Sequence, residues 1–553
     1  MKGGITSGIV YPRAVLELSK EYRFRSIGGT SAGAIAAAVT AAAELRRQRD
    51  GSNAGFEIIG RLPSWMGECV DGRSRLVRLF EPTGPAGPLF DAALAYVEAK
   101  GSRTLAVLRA VVLGFPRLGG LAAAIGFLLT TLVAIATVVL WSESRALALA
   151  LLLVIVVLLV VTIVTAVIAS IIDALRFTAR ILPEQGFGIC SGMKLAEWLA
   201  DEIDRAAGVT GSKPVTFADL RAADIHLEVM TTNLTLGRPH RLPLESRHYS
   251  FDPEEMRRLF PERIVQWMVD HAGEPRKTKR EAATLYKLPA DELPVVVAAR
   301  MSLSFPILLS AVPLWAVDYG KRGEHEPERC WFSDGGITSN FPVHFFDSPI
   351  PRWPTFAINL APRTTRYHTA ESRTYMPSNN VGGILEWWEP FHTLAGFLTA
   401  IVNTMQNWRD NMLLRLPGQR DRIAHVMLAP EEGGLNLSMD AATIEDVAER
   451  GAEAGRMLRG RFDWRNHKWV RYLSFMSALE DALERWERAF DEELVAGTAP
   501  LPSYRISVEQ RASVRKTSLA FLEHVRQNFG SRTFRELAKR PRPMPAIRAM
   551  PRE

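Results

Sequence analysis

The chain is poor in cysteine: Cys69, Cys190 and Cys330 are its three in 553 residues, an odd number with no CxxC pair. That excludes a disulfide framework and a cysteine-built zinc site, and it fits a reducing compartment. Histidines such as His226, His325 and His467 show no HExxH or other paired ligand spacing, so no metal and no cofactor is implied. Charge of one sign is also lacking. The 67 Lys and Arg against 60 Asp and Glu leave a net charge of +7, which suits an anionic phospholipid surface and gives no argument for nucleic acid. No internal repeat stands out. Met1 and Lys2 lead straight into Gly3 and Gly4 rather than into a basic and then apolar leader, so no cleavable signal peptide is expected.

What is present is unevenly spread. The composition, 47% hydrophobic and 23% charged, averages two populations. Leu118–Leu140 and Ala146–Ile172 carry no charge, and only Trp141-Ser-Glu-Ser-Arg145 separates them; 42 of the 55 residues from 118 to 172 are hydrophobic. As helices the two runs would reach roughly 35 and 40 Å, enough to cross a hydrocarbon layer about 30 Å thick. A pair of soluble core helices would keep a polar stripe, and here only scattered Thr, Ser and Gly interrupt the runs. We therefore expect a transmembrane hairpin at 118–172. Lys100, Arg103, Arg109 and Arg117 precede it and Arg176 and Arg180 follow it, while the short loop nets zero. The positive-inside rule puts both outer ends in the cytoplasm, and a bacterial inner membrane is the expected setting.

The flanking sequence reads as α/β. Tyr22–Ile27 predicts a short strand, Gly28-Gly29 a break and Ala32–Gln48 an alanine-rich helix. Beyond the hairpin, Lys194–Ala207 predicts a helix and His226–Met230 a strand, and Pro294–Ser304 and Thr355–Leu360 add strand or core segments. Apolar strands alternating with helices argue for a mostly parallel sheet covered on both faces. From about Asn380 helices with charged faces dominate, including Thr443–Gly460 and Trp469–Leu494, before a Pro/Arg-rich tail read as disordered. The aromatic run Trp387-Trp388-Glu-Pro-Phe391 suits a lipid interface or a core equally. The expected layout is thus 1–117 and 173–365 as two parts of one α/β domain, 118–172 the hairpin, 366–538 a helical region and 539–553 the tail.

Three short motifs can carry chemistry. Gly29-Thr30-Ser31-Ala32-Gly33 is a GxSxG between a predicted strand and a predicted helix, the setting in which a tight turn lifts a serine nucleophile off a sheet. The helix that follows points its amides and positive dipole end at a developing oxyanion. Gly3-Gly4-Ile5-Thr6-Ser7-Gly8 is a glycine-rich turn whose N–H groups can converge on an anionic oxygen. Ser333-Asp334-Gly335-Gly336 places an acid before two glycines. Each alone has a bland reading, respectively a helix N-cap, a loose terminus and an ordinary turn. A Ser-His-Asp triad stays open on spacing, since His344, His392 and His425 follow Asp334. However, an α/β-hydrolase elbow follows several strands, whereas Ser31 follows one at most.

Taken in order, the glycine loop, GxSxG and DGG resemble the patatin-like phospholipase family of lipid acyl hydrolases. The resemblance implies a three-layer α/β/α fold in which Ser31 is the nucleophile, Asp334 its base and the amides around Gly3, Gly4 and Ile5 the oxyanion donors. Gly29 and Gly33 would flank the nucleophile elbow, and Gly335 and Gly336 would complete the DGG motif. Val229–Arg238 is similar to the family's second core strand and turn, and Ala298–Pro306 to its helix before the DGG strand, so the likeness covers roughly residues 1 to 118 and 180 to 365. Three departures accompany it. Ile5 and Ser7 stand where the family's GGGxRG loop has glycine and arginine. The strand that leads into that loop is missing, which suggests an extension upstream of Met1. The hairpin interrupts the hydrolase domain. The resemblance implies a membrane phospholipid or lysophospholipid substrate at the bilayer, cleaved on the cytoplasmic side by a Ser-Asp dyad. The altered loop leaves a catalytically weak scaffold as the alternative.

Overall fold

A computed structural model describes residues 1–534 apart from 83, 100–101, 142–143, 245–247, 279–282, 322–324, 364–372, 378–389, 415, 435, 492–506 and 530–532. Trp387, Trp388 and the Pro/Arg-rich tail lie outside the described residues. The described chain divides into two compact units, Met1–Pro342 with Leu428–Ala452, and Val343–Met427 with the rest of the C-terminal part.

The first unit is built on an eight-stranded sheet of β1 (Ser26–Thr30), β2 (His226–Asn233), β3 (Arg238–Leu242), β4 (Ser250–Phe251), β5 (Arg276–Lys277), β6 (Thr284–Lys287), β7 (Val312–Val317) and β8 (Pro327–Asp334). Their order is β1-β2-β8-β7-β4-β6-β5, with β3 on β2. The α/β class is as expected, but the mostly parallel sheet is not: β1 pairs with β2 in parallel, and the neighbours β2–β8, β8–β7, β7–β4 and β2–β3 are antiparallel. The short return Leu234–Gly237 reverses the chain between β2 and β3, and β7 and β8 pair in antiparallel register, where parallel neighbours would need a helical crossover.

Helices α1 (Tyr11–Ser19) and α2 (Ala32–Asp50) flank β1 in sequence. The alanines of α2 are buried along its length, Ala34, Ala37, Ala38, Ala41 and Ala42 among them, because small side chains let its backbone approach β1, β2 and the helices α5 (Met193–Ala207) and α6 (Val295–Ser302). β1 starts later than predicted and takes in Gly28 and Gly29. Here glycine marks a close approach rather than a break, since a Cβ on Gly29 would lie 2.2 Å from the Gly33 carbonyl oxygen.

The hairpin forms α3 (Pro116–Leu140) and α4 (Arg145–Glu184), the latter continuing past Ile172 as a 40-residue helix. Both are long and apolar enough to cross a membrane, with 6% of each apolar window buried. They pack closely through small residues: a Cβ on Gly119 would meet Ser170 Oγ at 2.0 Å, and one on Gly126 would meet Thr162 Oγ1 at 2.1 Å.

The second unit contains the helices α7 (Leu394–Leu414), α9 (Trp464–Ala489) and α10 (Val508–Phe529) and a three-stranded sheet, β9 (Ala357–Pro362), β11 (Ile423–Leu428) and β10 (Thr374–Tyr375) in that order; α8 is Ala441–Arg461. Asp347 accepts from the buried guanidinium groups of Arg422 at 3.2 Å and Arg471 at 2.9 Å, the pairing that buried charges require.

Candidate active site

Ser31 sits between the last residue of β1 and the first of α2, at φ 54° and ψ −129°. That conformation is costly for an L-residue and persists only where the surroundings enforce it. Two bonds do so. The Ser31 N–H donates to Ser302 Oγ at 3.0 Å, and the Ser302 hydroxyl donates to the Met230 carbonyl at 2.5 Å, so the end of α6 ties the elbow to β2. Gly33 completes the turn, because a Cβ there would lie 2.6 Å from the Met1 carbonyl oxygen.

Asp334 ends β8. Across β2, Thr30 is paired with Met230 and Asp334 with Thr231, so Ser31 and Asp334 emerge at the same end of the sheet on either side of one strand. The acid is held at three points. Its N–H donates to the Ser304 carbonyl at 3.0 Å, its carbonyl accepts from Thr232 Oγ1 at 2.9 Å, and its Oδ1 accepts from the Gly336 N–H at 2.7 Å. Gly335 permits this approach, since a Cβ there would lie 2.1 Å from the Met230 carbonyl oxygen. Asp334 Oδ2 is buried with no hydrogen-bond partner among the described residues. Burial pushes the Asp334 carboxyl up to about 7, against the opposing pulls of the Ser31 hydroxyl, the Gly336 N–H and the Arg300 guanidinium. A carboxyl poised there is suited to accept and return a proton near neutrality.

Arg300 is fully buried in α6 and donates to Ser304 Oγ at 2.7 Å, the Ser191 carbonyl at 2.8 Å and the Ser310 carbonyl at 3.0 Å. Burial draws its own pKa down to about 10, with Cys190 and Asp334 acting in the opposite sense. It is a fixed cation behind the acid.

The glycine loop lies against the elbow in a closed arrangement. The Gly3 N–H donates to the Asn340 carbonyl at 2.7 Å. The Gly4 carbonyl accepts from Ser31 Oγ at 2.9 Å and from the Ala32 N–H at 3.1 Å, so it stands where an acyl oxyanion on Ser31 would stand. In a planar trans peptide the N–H points opposite to the carbonyl, so the Ile5 N–H is directed away from Ser31. An oxyanion role for Ile5 requires the Gly4–Ile5 peptide to turn over. The Gly4 and Ile5 N–H groups have no acceptor among the described residues.

Sequence reasoning named Ser31, Asp334 and the glycines but missed Ser302, Arg300, Asn340 and Gly434. Ser302 and Arg300 fall within Ala298–Pro306, yet no spacing rule connects Ser302 with an elbow 271 residues away. Gly434 accepts from the Thr6 N–H at 3.4 Å, so Leu428–Ala452 buttresses the loop from far along the chain. His344, His392 and His425, the candidates for a triad, belong to the second unit, where the ring of His425 pairs with the Asn359 amide at 3.0 Å. Among the described residues no cluster of three His, Cys, Asp or Glu is placed to hold a metal.

The model of the patatin-like phospholipase family matches residues 139–347, a span that contains β2, α6 and the Asp334 turn but not Ser31. A relative from Rhizobium meliloti (strain 1021), named RpoH suppressor, is 35% identical over 566 aligned residues, covering 87% of this chain and 85% of its own. The chain belongs to the patatin-like phospholipase family. Membership in this lipid acyl hydrolase family brings an α/β fold and a lipid as the general class of substrate. Within the glycine loop the Gly3 amide is already bonded and the Gly4 carbonyl faces the serine.

Proposed function

We propose that the protein is a membrane-anchored serine lipid acyl hydrolase of phospholipase A or lysophospholipase type, with Ser31 and Asp334 as its dyad. The observation that carries this reading is a strained, buried serine beside a buried carboxyl raised to about 7, both at one end of one sheet. Ser31 Oγ attacks the acyl carbonyl while Asp334 takes its proton. The tetrahedral oxyanion displaces the Gly4 carbonyl, which frees the Ala32 N–H, and turnover of the Gly4–Ile5 peptide adds the Ile5 N–H as a second donor. Collapse expels the lysolipid alkoxide with the proton returned by Asp334. Asp334 then deprotonates a water that attacks the acyl-enzyme, releasing fatty acid and restoring the serine. The α3–α4 hairpin holds the site at the bilayer and supplies effective concentration without headgroup contacts.

The closed loop gives a second reading specific support: a Gly4 carbonyl in the oxyanion position fits a hydrolase fold kept as a membrane scaffold. Fatty-acid release from phospholipid vesicles by the full chain and by Ser31→Ala separates the two. Release that falls to background in the variant supports the enzyme, and absence of release from the intact chain supports the scaffold.

A further inference from the structure

Helix α7 is built inside out. Its apolar residues Leu394, Phe397, Leu398, Ile401, Val402 and Met405 fall at i, i+3, i+4, i+7, i+8 and i+11, one continuous stripe of an α-helix. In a soluble domain such a stripe faces the core. Here all six are exposed, from 42% at Ile401 to 75% at Leu394. The opposite face holds the small and polar residues Gly396, Ala400, Asn403 and Asn407, which are half-buried, and Asp410, which is buried. The helix keeps its small and polar side partly buried and its greasy side outward, so the stripe is not a core face that slipped in register.

We infer that α7 lies in the plane of a membrane interface with this stripe seated among lipid acyl chains. The inference rests on the membrane anchoring proposed above, and four observations select lipid as the occupant. No Asp, Glu, Lys or Arg occurs between Glu389 and Arg409, so the outward face offers no charge for pairing with a protein rim. Aromatics bracket the stripe in sequence, Trp387, Trp388 and Phe391 before it and Trp408 after it, as at membrane–water interfaces. The stripe runs about 17 Å, too short to cross a hydrocarbon layer of about 30 Å, and polar residues fill the other face, so the helix lies along the surface. Finally, α3 and α4 leave their apolar surface unburied in the same chain, the same feature that the proposed anchoring assigns to lipid. The second unit thus has its own lipid contact, independent of the hairpin.

The test uses the full chain in phosphatidylcholine/phosphatidylglycerol proteoliposomes, with and without acyl-chain spin-labelled phosphatidylcholine. Single cysteines labelled with an environment-sensitive fluorophore are placed at Leu398 or Val402, and at Leu153 in the hairpin, each in a Cys69→Ser background. The exposed native Cys69, labelled in the unsubstituted chain, is the aqueous reference, because Cys190 and Cys330 are buried. All the substituted sites are exposed, so the fold should tolerate them. We expect spin-lipid quenching at 398 and 402 at least half that at 153 and severalfold above that at 69. Quenching at 153 with 398 and 402 no different from 69 overturns the interfacial helix and leaves the anchoring intact. No quenching at 153 overturns both. Cross-linking between chains at position 398 without lipid quenching makes a second copy the occupant and also overturns the inference.

Discussion

Replacing Asp334 with Asn should make the protein more stable at pH 8 while abolishing its activity. The carboxyl is buried, and its pKa is displaced from 3.8 to about 7 by that burial. An acid raised in the folded state favours folding while protonated: the contribution is complete below the unfolded value and is lost as pH rises through the folded one. Between those limits the displacement corresponds to about 4 kcal/mol, the cost at pH 8 of keeping a buried charge whose Oδ2 has no partner. Asparagine keeps an oxygen for the Gly336 N–H and carries no charge. If the first unit, about 370 residues, melts cooperatively, that difference is worth roughly 5 °C. The assay is thermal unfolding of the detergent-solubilised full chain and its Asp334→Asn variant at pH 5 and pH 8, together with ester hydrolysis. We expect the variant to melt higher at pH 8, the gap to narrow at pH 5, and hydrolysis to fall by about 100-fold or more with loss of the base. A variant that melts lower at pH 8, or a gap that does not change with pH, would refute the burial argument.

Other parts of the site give further outcomes. Hydrolysis by the intact chain should rise with pH to half its plateau near 7, as the base form of Asp334 is populated. Arg300→Met removes the cation that pulls Asp334 downward, so the midpoint should move up by about 0.5–1 unit, with some loss of stability from its three unpaired acceptors. Ser302→Ala deletes the acceptor of the Ser31 N–H, and kcat should fall about 10- to 100-fold with KM little changed. Gly126→Val drives side-chain atoms into Thr162 and should lower the melting temperature in detergent by about 1–3 kcal/mol in equivalent stability; Gly120→Val, where a Cβ would meet nothing within 4 Å, should leave it unchanged.

Much of the site is legible in the sequence because its chemistry is local. Ser31 needs small neighbours within two residues on either side, and Asp334 needs the Gly335–Gly336 turn at once, so both announce themselves as short strings. The helical hairpin is legible for a different reason: two long uncharged apolar runs separated by five residues predict two consecutive helices. Sheet polarity is not, because β7 and β8 carry apolar patterns that serve parallel and antiparallel partners alike, and only the paired register shows that they run as a hairpin. The supports of the elbow stay hidden for want of locality. Ser302 looks like any serine near a helix end, and its value comes from β2 bringing Met230 between it and Ser31. The same holds for α7, whose stripe predicts a helix from spacing alone but not that the stripe faces outward.

The central claim is that Ser31 is a nucleophile activated by Asp334. Its most direct measurement is covalent labelling of the full chain in vesicles by a fluorophosphonate, with the adduct located by peptide mass spectrometry. One phosphonylated residue is expected, Ser31, with the rate of labelling rising through pH 7 and falling steeply in Asp334→Asn. Labelling at another serine, or equal labelling of Ser31 in Asp334→Asn, would contradict it.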